Sequence, residues 1–462
     1  MAASTASPPG APADEAMARA LAGLSDRVPS RMVPDLARIT ELVDLLGSPQ
    51  RSFPSIHLTG TNGKTSTARM ADALLRGFGL RPGRYTSPHL ESWTERITID
   101  GKPIPDAMFA GVYDEVAPLA ALVDARHSDR VTTFELLTAM AFAAFADAPV
   151  DVGVIEVGMG GRWDATNLLD AAVSVVTPVA LDHRELGSTV AEVAAEKAGI
   201  IAPGSTLVVA HQTLDAAEVL LRRAAEVGAT VAREGLEYGV LSRSVAVGGQ
   251  VLTLQGLRGV YDGIFLPLHG AHQAANAAAA LAAVEAFLGS AADLDGTLPS
   301  VAPSLDVEAV REGFASADSP GRLEVVRRSP TVLVDGAHNP AGARALADAL
   351  REAFDFRRLV GVVGVLGDKD VEGILAALEP VLDVVVVTES SSARALPADD
   401  LASVAVEVFG EDRVEVAPRL DDALDAGIRL AEEDVTELTG VGVLVTGSIV
   451  TVGEARSMLR RR

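Results

Sequence analysis

Ser55-Ile56-His57-Leu58-Thr59-Gly60-Thr61-Asn62-Gly63-Lys64-Thr65-Ser66 begins as an apolar strand and ends as a glycine-bearing loop. Behind it, Ala68-Arg69-Met70-Ala71-Asp72-Ala73-Leu74-Leu75 repeats its apolar residues at helical spacing. Strand, glycine loop, Lys-Thr and helix form the layout of a phosphate-binding loop. Glycines let successive N–H groups turn toward phosphate oxygens, and the helix N-terminus adds partial positive charge. Lys64 would reach the β- and γ-phosphates, and the Thr65 hydroxyl would meet Mg²⁺. One position departs from the general G-x-x-x-x-G-K-[ST] pattern, because Leu58 stands where the first glycine belongs. The competing reading is an ordinary strand-to-helix turn.

Outward from this loop, the chain has 462 residues, more than one compact core holds, so two domains are expected. It carries 63 acidic against 39 basic residues, a net charge of −24. That field argues against non-specific binding to nucleic acid or an anionic membrane, while leaving room for a local ATP pocket. No cysteine is present, which excludes disulfides, a thiolate nucleophile and cysteine-bound zinc. The segment Met1 to Pro12 has neither a basic nor an apolar targeting region, and no run reaches the ~18 apolar residues of a membrane span. A soluble cytoplasmic protein is expected, with residues 1–16 a disordered tail.

Downstream, Ile97-Thr98-Ile99-Asp100-Gly101-Lys102 reads as a hairpin around Asp-Gly. Phe134 to Ala146 reads as a buried helix, and residues 151–156, 173–177 and 206–210 as strands, with a helix over 190–198. Strands alternating with helices predict a mostly parallel sheet covered on both faces. Residues 238–270 switch to short β-prone runs, a small antiparallel subdomain. An Ala-rich helix from Gln273 to Leu288 is expected to stop at Gly289. Residues 316–321 form the expected linker between an ATP-binding domain, 17–315, and a Rossmann-like α/β domain, 322–462. That second domain has strands near 331–335, 359–366, 384–388 and 442–446.

Ligands of open parallel sheets gather at the carboxyl ends of strands. The polar residues there are Lys64, Thr65, Ser87, Glu156 and Asp182-His183 in the first domain. The second offers Asp335-Gly336-Ala337-His338-Asn339-Pro340, Gly367-Asp368-Lys369 and Thr446-Gly447-Ser448. Glu156 suits Mg²⁺, a cation of hard oxygen ligands, or else caps a turn. Lys197 on its own reads as a helix C-terminal lysine paired with Glu192 or Glu196. Asn339-Pro340 on its own reads as a helix start.

Several of these stretches occur together, and in the same order, in one family. They are Thr59–Ser66, Thr86-Ser87-Pro88-His89-Leu90, Glu156–Asn167, Leu181-Asp182-His183, Glu196-Lys197-Ala198-Gly199-Ile200, Pro320-Gly321-Arg322 and Asp335–Pro340. From about residue 35 onward the chain resembles the folylpolyglutamate synthases. It is most similar to the bacterial, especially actinobacterial, forms that also make dihydrofolate. The resemblance accounts for Leu58, since the ligase superfamily to which they belong uses a shorter T-G-T-x-G-K loop. It implies ATP at Gly60, Thr61, Asn62, Gly63, Lys64, Thr65, Ser66, Asn276, Arg322 and Asp335. It implies two Mg²⁺ ions, with Ser87, Glu156 and His183 as ligands and Ser66 as the more dependable loop hydroxyl, and leaves room for a monovalent cation. It makes Lys197 a carbamylated lysine. It assigns Thr133, Phe134, Glu135, Arg162, Trp163 and Asp164 to the pterin-side pocket, and His338 and Ser448 to the incoming glutamate. Lys64, Lys197, His183 and His338 would then carry the catalysis.

The reaction implied is ATP-driven amide formation between L-glutamate and dihydropteroate or a folate, through an acyl phosphate, in a cleft that closes against water. Small-molecule substrates and a monomer are expected. The alternatives are an enzyme with the folylpolyglutamate activity alone, another ligase of the superfamily, and a P-loop ATPase. A nucleotide-sugar ligase lacks room here for a domain ahead of the loop, and a P-loop ATPase needs no second-domain motifs.

Overall fold

The computed structural model describes residues 13–29, 33–181, 184–294, 304–433 and 440–461. The first eight strands are β1 Ser55–Thr59, β2 Pro82–Tyr85, β3 Ile97–Ile99, β4 Lys102–Pro103, β5 Val152–Glu156, β6 Val173–Val176, β7 Thr206–Val209 and β8 Thr230–Arg233. They form one sheet in the order β4-β3-β2-β5-β1-β6-β7-β8, parallel from β2 to β8, with β3 and β4 added antiparallel at one edge. The turn between β3 and β4 puts Asp100 and Gly101 at φ 52° and 73°, the left-handed pair that an Asp-Gly hairpin uses.

β1 is buried along its whole length and sits between β5 and β6, so both its faces meet apolar layers. Ile56 and Leu58 face the helices Lys64–Gly77 and Ala271–Leu294 in one core. On the other side Tyr85 and Ile155 pack with the helices Ala37–Leu45, Asp106–Asp124 and Thr133–Asp147. A helix at Ala13–Ser25 joins that second layer, so residues 13–16 of the expected tail are helical.

β9 Gly239–Ala246, β10 Gly249–Gln255 and β11 Val260–Leu266 make a separate antiparallel sheet. It packs through Leu252, Leu254, Tyr261 and Ile264 onto the Ala-rich helix. That helix runs to Leu294, past the expected stop at Gly289. Gly289 instead admits the Arg258 guanidinium, which would collide with a side chain there.

The second lobe is built on β12 Glu324–Arg328, β13 Thr331–Val334, β14 Arg358–Val363, β15 Val384–Val387, β16 Val414–Val416 and β17 Val441–Thr446. Their order is β12-β13-β17-β14-β15-β16, parallel except for β12. The valine-rich strands are buried, as a sheet covered on both faces requires. Sequence reasoning missed β2, whose four residues include Pro82 and Gly83, and also β8, β12 and β16, which are short or largely unburied at or near sheet edges. No helix among the described residues is long and apolar enough to cross a membrane.

Candidate functional site

The strand β1 ends at Thr59, and the loop from Gly60 to Gly63 turns the chain into the helix Lys64–Gly77. Two glycines make this turn. Gly60 has φ +143°, and a side chain there would strike Thr177 at the end of β6. Gly63 has φ +89°, and a Cβ would stand 2.5 Å from Asn276 Oδ1. Thr61 fixes the loop to the segment after β6, donating to the Ala180 carbonyl at 2.8 Å and accepting from its N–H at 2.9 Å. Lys64 Nζ lies over the loop, donating to the Gly60 and Thr61 carbonyls at 2.9 and 3.1 Å.

Glu156, at the end of β5, is 1% exposed. The Thr65 hydroxyl sits on its carboxylate, 3.0 and 2.9 Å from the two oxygens. Burial raises the Glu156 pKa to about 6, against the pull of Lys64, Thr65, Arg322 and the Ser87 N–H. Burial disfavours the ionised form, and a hard cation that takes oxygen ligands would stabilise it. Among the described residues no three His, Cys, Asp or Glu side chains converge on a metal position. One carboxylate and a few hydroxyls still fit Mg²⁺, which keeps waters and takes phosphate oxygens as ligands. Ser66 points elsewhere: the residue is 2% exposed and its hydroxyl lies 3.1 Å from Ser319 Oγ. Neighbouring helix residues are turned by ~100°, so only one of the pair can face Glu156.

Lys197 is 3% exposed, and its Nζ donates to the Gly60 carbonyl at 2.8 Å. Glu192 is occupied in its own helix's capping box, and Glu196 accepts the Trp163 N–H at 3.2 Å. Lys197 is therefore a cleft residue as well as a helix-end lysine.

The second lobe closes the cleft. Asp335, at the end of β13, accepts the N–H groups of Leu323 and Ala337, both at 2.8 Å, and burial raises its pKa despite Arg322. His338 Nδ1 donates to the Gly336 carbonyl at 2.8 Å, so that nitrogen carries the proton. Asn339 caps the helix Pro340–Ala353 through Gly342 N, as its sequence suggests. It also exchanges two hydrogen bonds with Asn62 of the phosphate loop, at 3.2 and 2.9 Å. The linker is pinned as well, by Ser66–Ser319 and by an Arg69–Asp318 ion pair of 2.9 Å. The cleft thus brings together the residues 60–66, Ser87, Glu156, Lys197, Asn276, Arg322, Asp335 and His338. Gln273, missed in the sequence, joins them three residues before Asn276, which donates to it at 3.1 Å.

Other expected residues lie outside that lining. Glu135 is spent on Arg38, at 3.1 Å, and on closing the capping box of its helix with Thr132. Thr133 donates to the Leu24 carbonyl at 2.7 Å. Asp164 is buried and accepts from Met159 N and from the Thr166 backbone and hydroxyl, which holds the glycine loop after β5 in shape. Ser448 accepts the Val450 N–H at 3.2 Å in the turn into the last helix. Phe134 lies against Gly158 and, at 5.9 Å between centroids, against Tyr85. Trp163 is 44% exposed, and Arg162 is bound through its N–H to the Glu196 carbonyl at 2.9 Å. Asp182 and His183 lie outside the described residues.

Comparison with known proteins identifies the family and the fold. The Mur ligase middle domain matches residues 58–284, and the Mur ligase glutamate ligase domain matches residues 321–449. The dihydrofolate synthase/folylpolyglutamate synthase of Mycobacterium tuberculosis is 54% identical over 453 residues, covering 94% of this chain and 91% of that protein. The Escherichia coli enzyme of the same name is 33% identical, covering 88% of this chain and 86% of its own. The M. tuberculosis folylpolyglutamate synthase structure complexed with ADP superposes with a TM-score of 0.91, over 98% of this chain and 100% of that one. A folylpolyglutamate synthase complex with AMPPCP and folate gives 0.80 at 31% identity, over 96% and 99%.

Proposed function

This chain belongs to the dihydrofolate synthase/folylpolyglutamate synthase family of Mur ligases, and on that premise we propose that it joins L-glutamate to two kinds of acceptor at the expense of ATP. One is dihydropteroate, giving dihydrofolate; the other is the terminal γ-carboxylate of a folate, giving polyglutamates. The observation that carries this reading is the Asn62–Asn339 contact, which sets a phosphate loop and a second-lobe His-Asn-Pro motif across one cleft.

In the first step an acceptor carboxylate oxygen attacks the γ-phosphorus of ATP, the bond to the β-phosphate oxygen breaks, and ADP leaves. In the second the glutamate nitrogen attacks the acyl carbon, loses its proton, and phosphate departs. The protein supplies no nucleophile; it positions the reactants and offsets charge. Lys64 and the loop N–H groups hold the phosphates, while Asn276, Arg322 and Asp335 hold the rest of the nucleotide. Ser87, Glu156 and His183 would hold magnesium, which supplies neutralisation of the phosphate charge, with Thr65 better placed than Ser66 as the loop hydroxyl. A second magnesium and a monovalent cation belong to the same proposal. Lys197 would react with carbon dioxide through its deprotonated amine, releasing a proton and turning a cation into an anion. Phe134 and Trp163 would line the pterin side, and His338 and Ser448 the glutamate side, with the chain acting as a cytoplasmic monomer.

Phosphate release with ATP, Mg²⁺ and L-glutamate tests this, with 7,8-dihydropteroate and tetrahydrofolate as alternative acceptors. Glutamate-dependent release with both supports the bifunctional ligase. Release with tetrahydrofolate alone reduces it to a polyglutamylating enzyme, and release with neither sinks the reading.

A further inference from the structure

Ser66 carries the phosphate-loop hydroxyl that does not meet Glu156, and its partners lead out of the loop. It lies 3.1 Å from Ser319 Oγ in the linker and accepts from Gln273 Nε2 at 3.4 Å. Gln273 in turn accepts from Asn276 Nδ2 at 3.1 Å through its Oε1. Its amide is thus an acceptor toward Asn276 and a donor toward Ser66. All four residues are buried. They make one hydrogen-bonded chain, from the Ala-rich helix through the phosphate-loop helix to the linker.

The chain continues through the backbone. The Ser319 carbonyl accepts the Arg322 N–H at 3.1 Å, closing a turn from which Arg322 lines the cleft. The second lobe holds the other side of that turn. The Gly336 N–H donates to the Gly321 carbonyl at 2.9 Å, and the Leu323 N–H to Asp335 at 2.8 Å. Gly336 also leaves room for the Arg322 guanidinium, which a side chain there would strike. Arg322 therefore stands on a turn anchored to the first lobe at Ser319 and to the second at Asp335 and Gly336.

Filling a core does not call for such a chain. Apolar residues of the same shape fill a buried site at little cost, whereas a buried amide or hydroxyl that loses its partner is destabilising. The partners are also far apart in sequence, Gln273 lying 207 positions and Ser319 253 positions from Ser66. Both ends of the chain are cleft residues, Asn276 at one and Arg322 at the other.

We propose that Gln273, Ser66 and Ser319 are positioning residues for the nucleotide. They act through Asn276 and Arg322, so that the contacts from the first lobe and from the linker turn are set as one unit. This deepens the ligase reading above and rests on its placing of ATP against Asn276 and Arg322.

Equilibrium dialysis of ADP and steady-state kinetics test it, on wild type, Gln273→Met, Ser319→Ala, Arg322→Gln and the double variant Ser319→Ala/Arg322→Gln. Breaking one buried hydrogen bond of the chain should weaken ADP binding and raise the ATP KM by about three- to tenfold. The KM values for glutamate and acceptor should hold. Because Ser319 acts through Arg322, the double variant should bind ADP no more weakly than Arg322→Gln alone. Unchanged ADP affinity in Gln273→Met and Ser319→Ala overturns the inference, and so do losses at Ser319 and Arg322 that add in full. An equal rise in every KM also overturns it, since that marks a general loosening of the fold. Wild type that binds ADP without glutamate-dependent turnover would instead be the failure of the ligase reading, and the dialysis would still decide the role of the chain.

Discussion

Gly453→Ala should weaken the join between the two lobes, while the same change at Gly111 should strengthen the protein. Both glycines lie inside helices, Asp106–Asp124 and Ile449–Arg461, where alanine is favoured by about 1 kcal/mol. At Gly111 a Cβ meets nothing within 4 Å, so that gain should be realised. At Gly453 the Cβ would run into the carbonyl oxygen of Leu90, on the first-lobe loop that also carries Ser87. The loop has little freedom to retreat. Glu95 accepts the N–H groups of Leu90 and Glu91 at 2.9 and 3.0 Å, and the Glu91 carboxylate is held by Arg456 at 2.7 Å. Overpacking of this kind costs about 1–3 kcal/mol, which exceeds or cancels the helical gain. Because the displaced loop leads to Ser87, turnover should fall with stability. Urea unfolding and glutamate-dependent ADP formation on wild type and both variants would measure this. If Gly453→Ala gained the stability of Gly111→Ala and kept full turnover, the Leu90 contact would be slack and the reasoning refuted.

Removing Glu135 should act on stability: Glu135→Ala leaves Arg38 buried and unpaired, a loss of about 3–5 kcal/mol by urea unfolding. A stable variant with a raised acceptor KM would return Glu135 to the acceptor pocket. Thr65→Val should lower turnover at least about tenfold and Ser66→Ala less, because the Thr65 hydroxyl is the one on Glu156; the reverse order in kcat would count against this. His57 is buried, and its pKa is lowered to about 3 by desolvation. Since the unfolded chain takes up that proton near pH 6.5, wild type should lose about 2 kcal/mol relative to His57→Gln between pH 7 and pH 5. The raised carboxylates Glu156 and Asp335 act in the opposite sense, gaining stability on acidification, and cancel in the difference. A pH-independent difference would mean that His57 takes up its proton in the fold over the same pH range as in the unfolded chain.

The parts of the fold legible in the sequence were those fixed by local pattern. The apolar run before Gly60, the Asp-Gly turn and the strand-end polar residues each need only a few neighbours to be read. Contacts made across long separations were not legible. Gly289 looks like a helix stop, and only Arg258, 31 residues back in sequence and packed against it, explains why the helix passes through. The case of Glu135 is different, because Thr132-Thr133-Phe134-Glu135 ahead of an apolar run is itself the pattern of a capping box. A family likeness drew that residue toward the substrate when its local chemistry already assigned it to the helix. Thr65 and Ser66 show the same limit from the other direction. Both hydroxyls belong to the phosphate-loop pattern, but the pattern does not carry the phase of the helix, and phase decides which meets Glu156. Motifs therefore identify which residues arrive at the strand ends. Which of their atoms remain to face a ligand is settled by partners such as Arg38 and Ser319, and those partners are chosen by the fold.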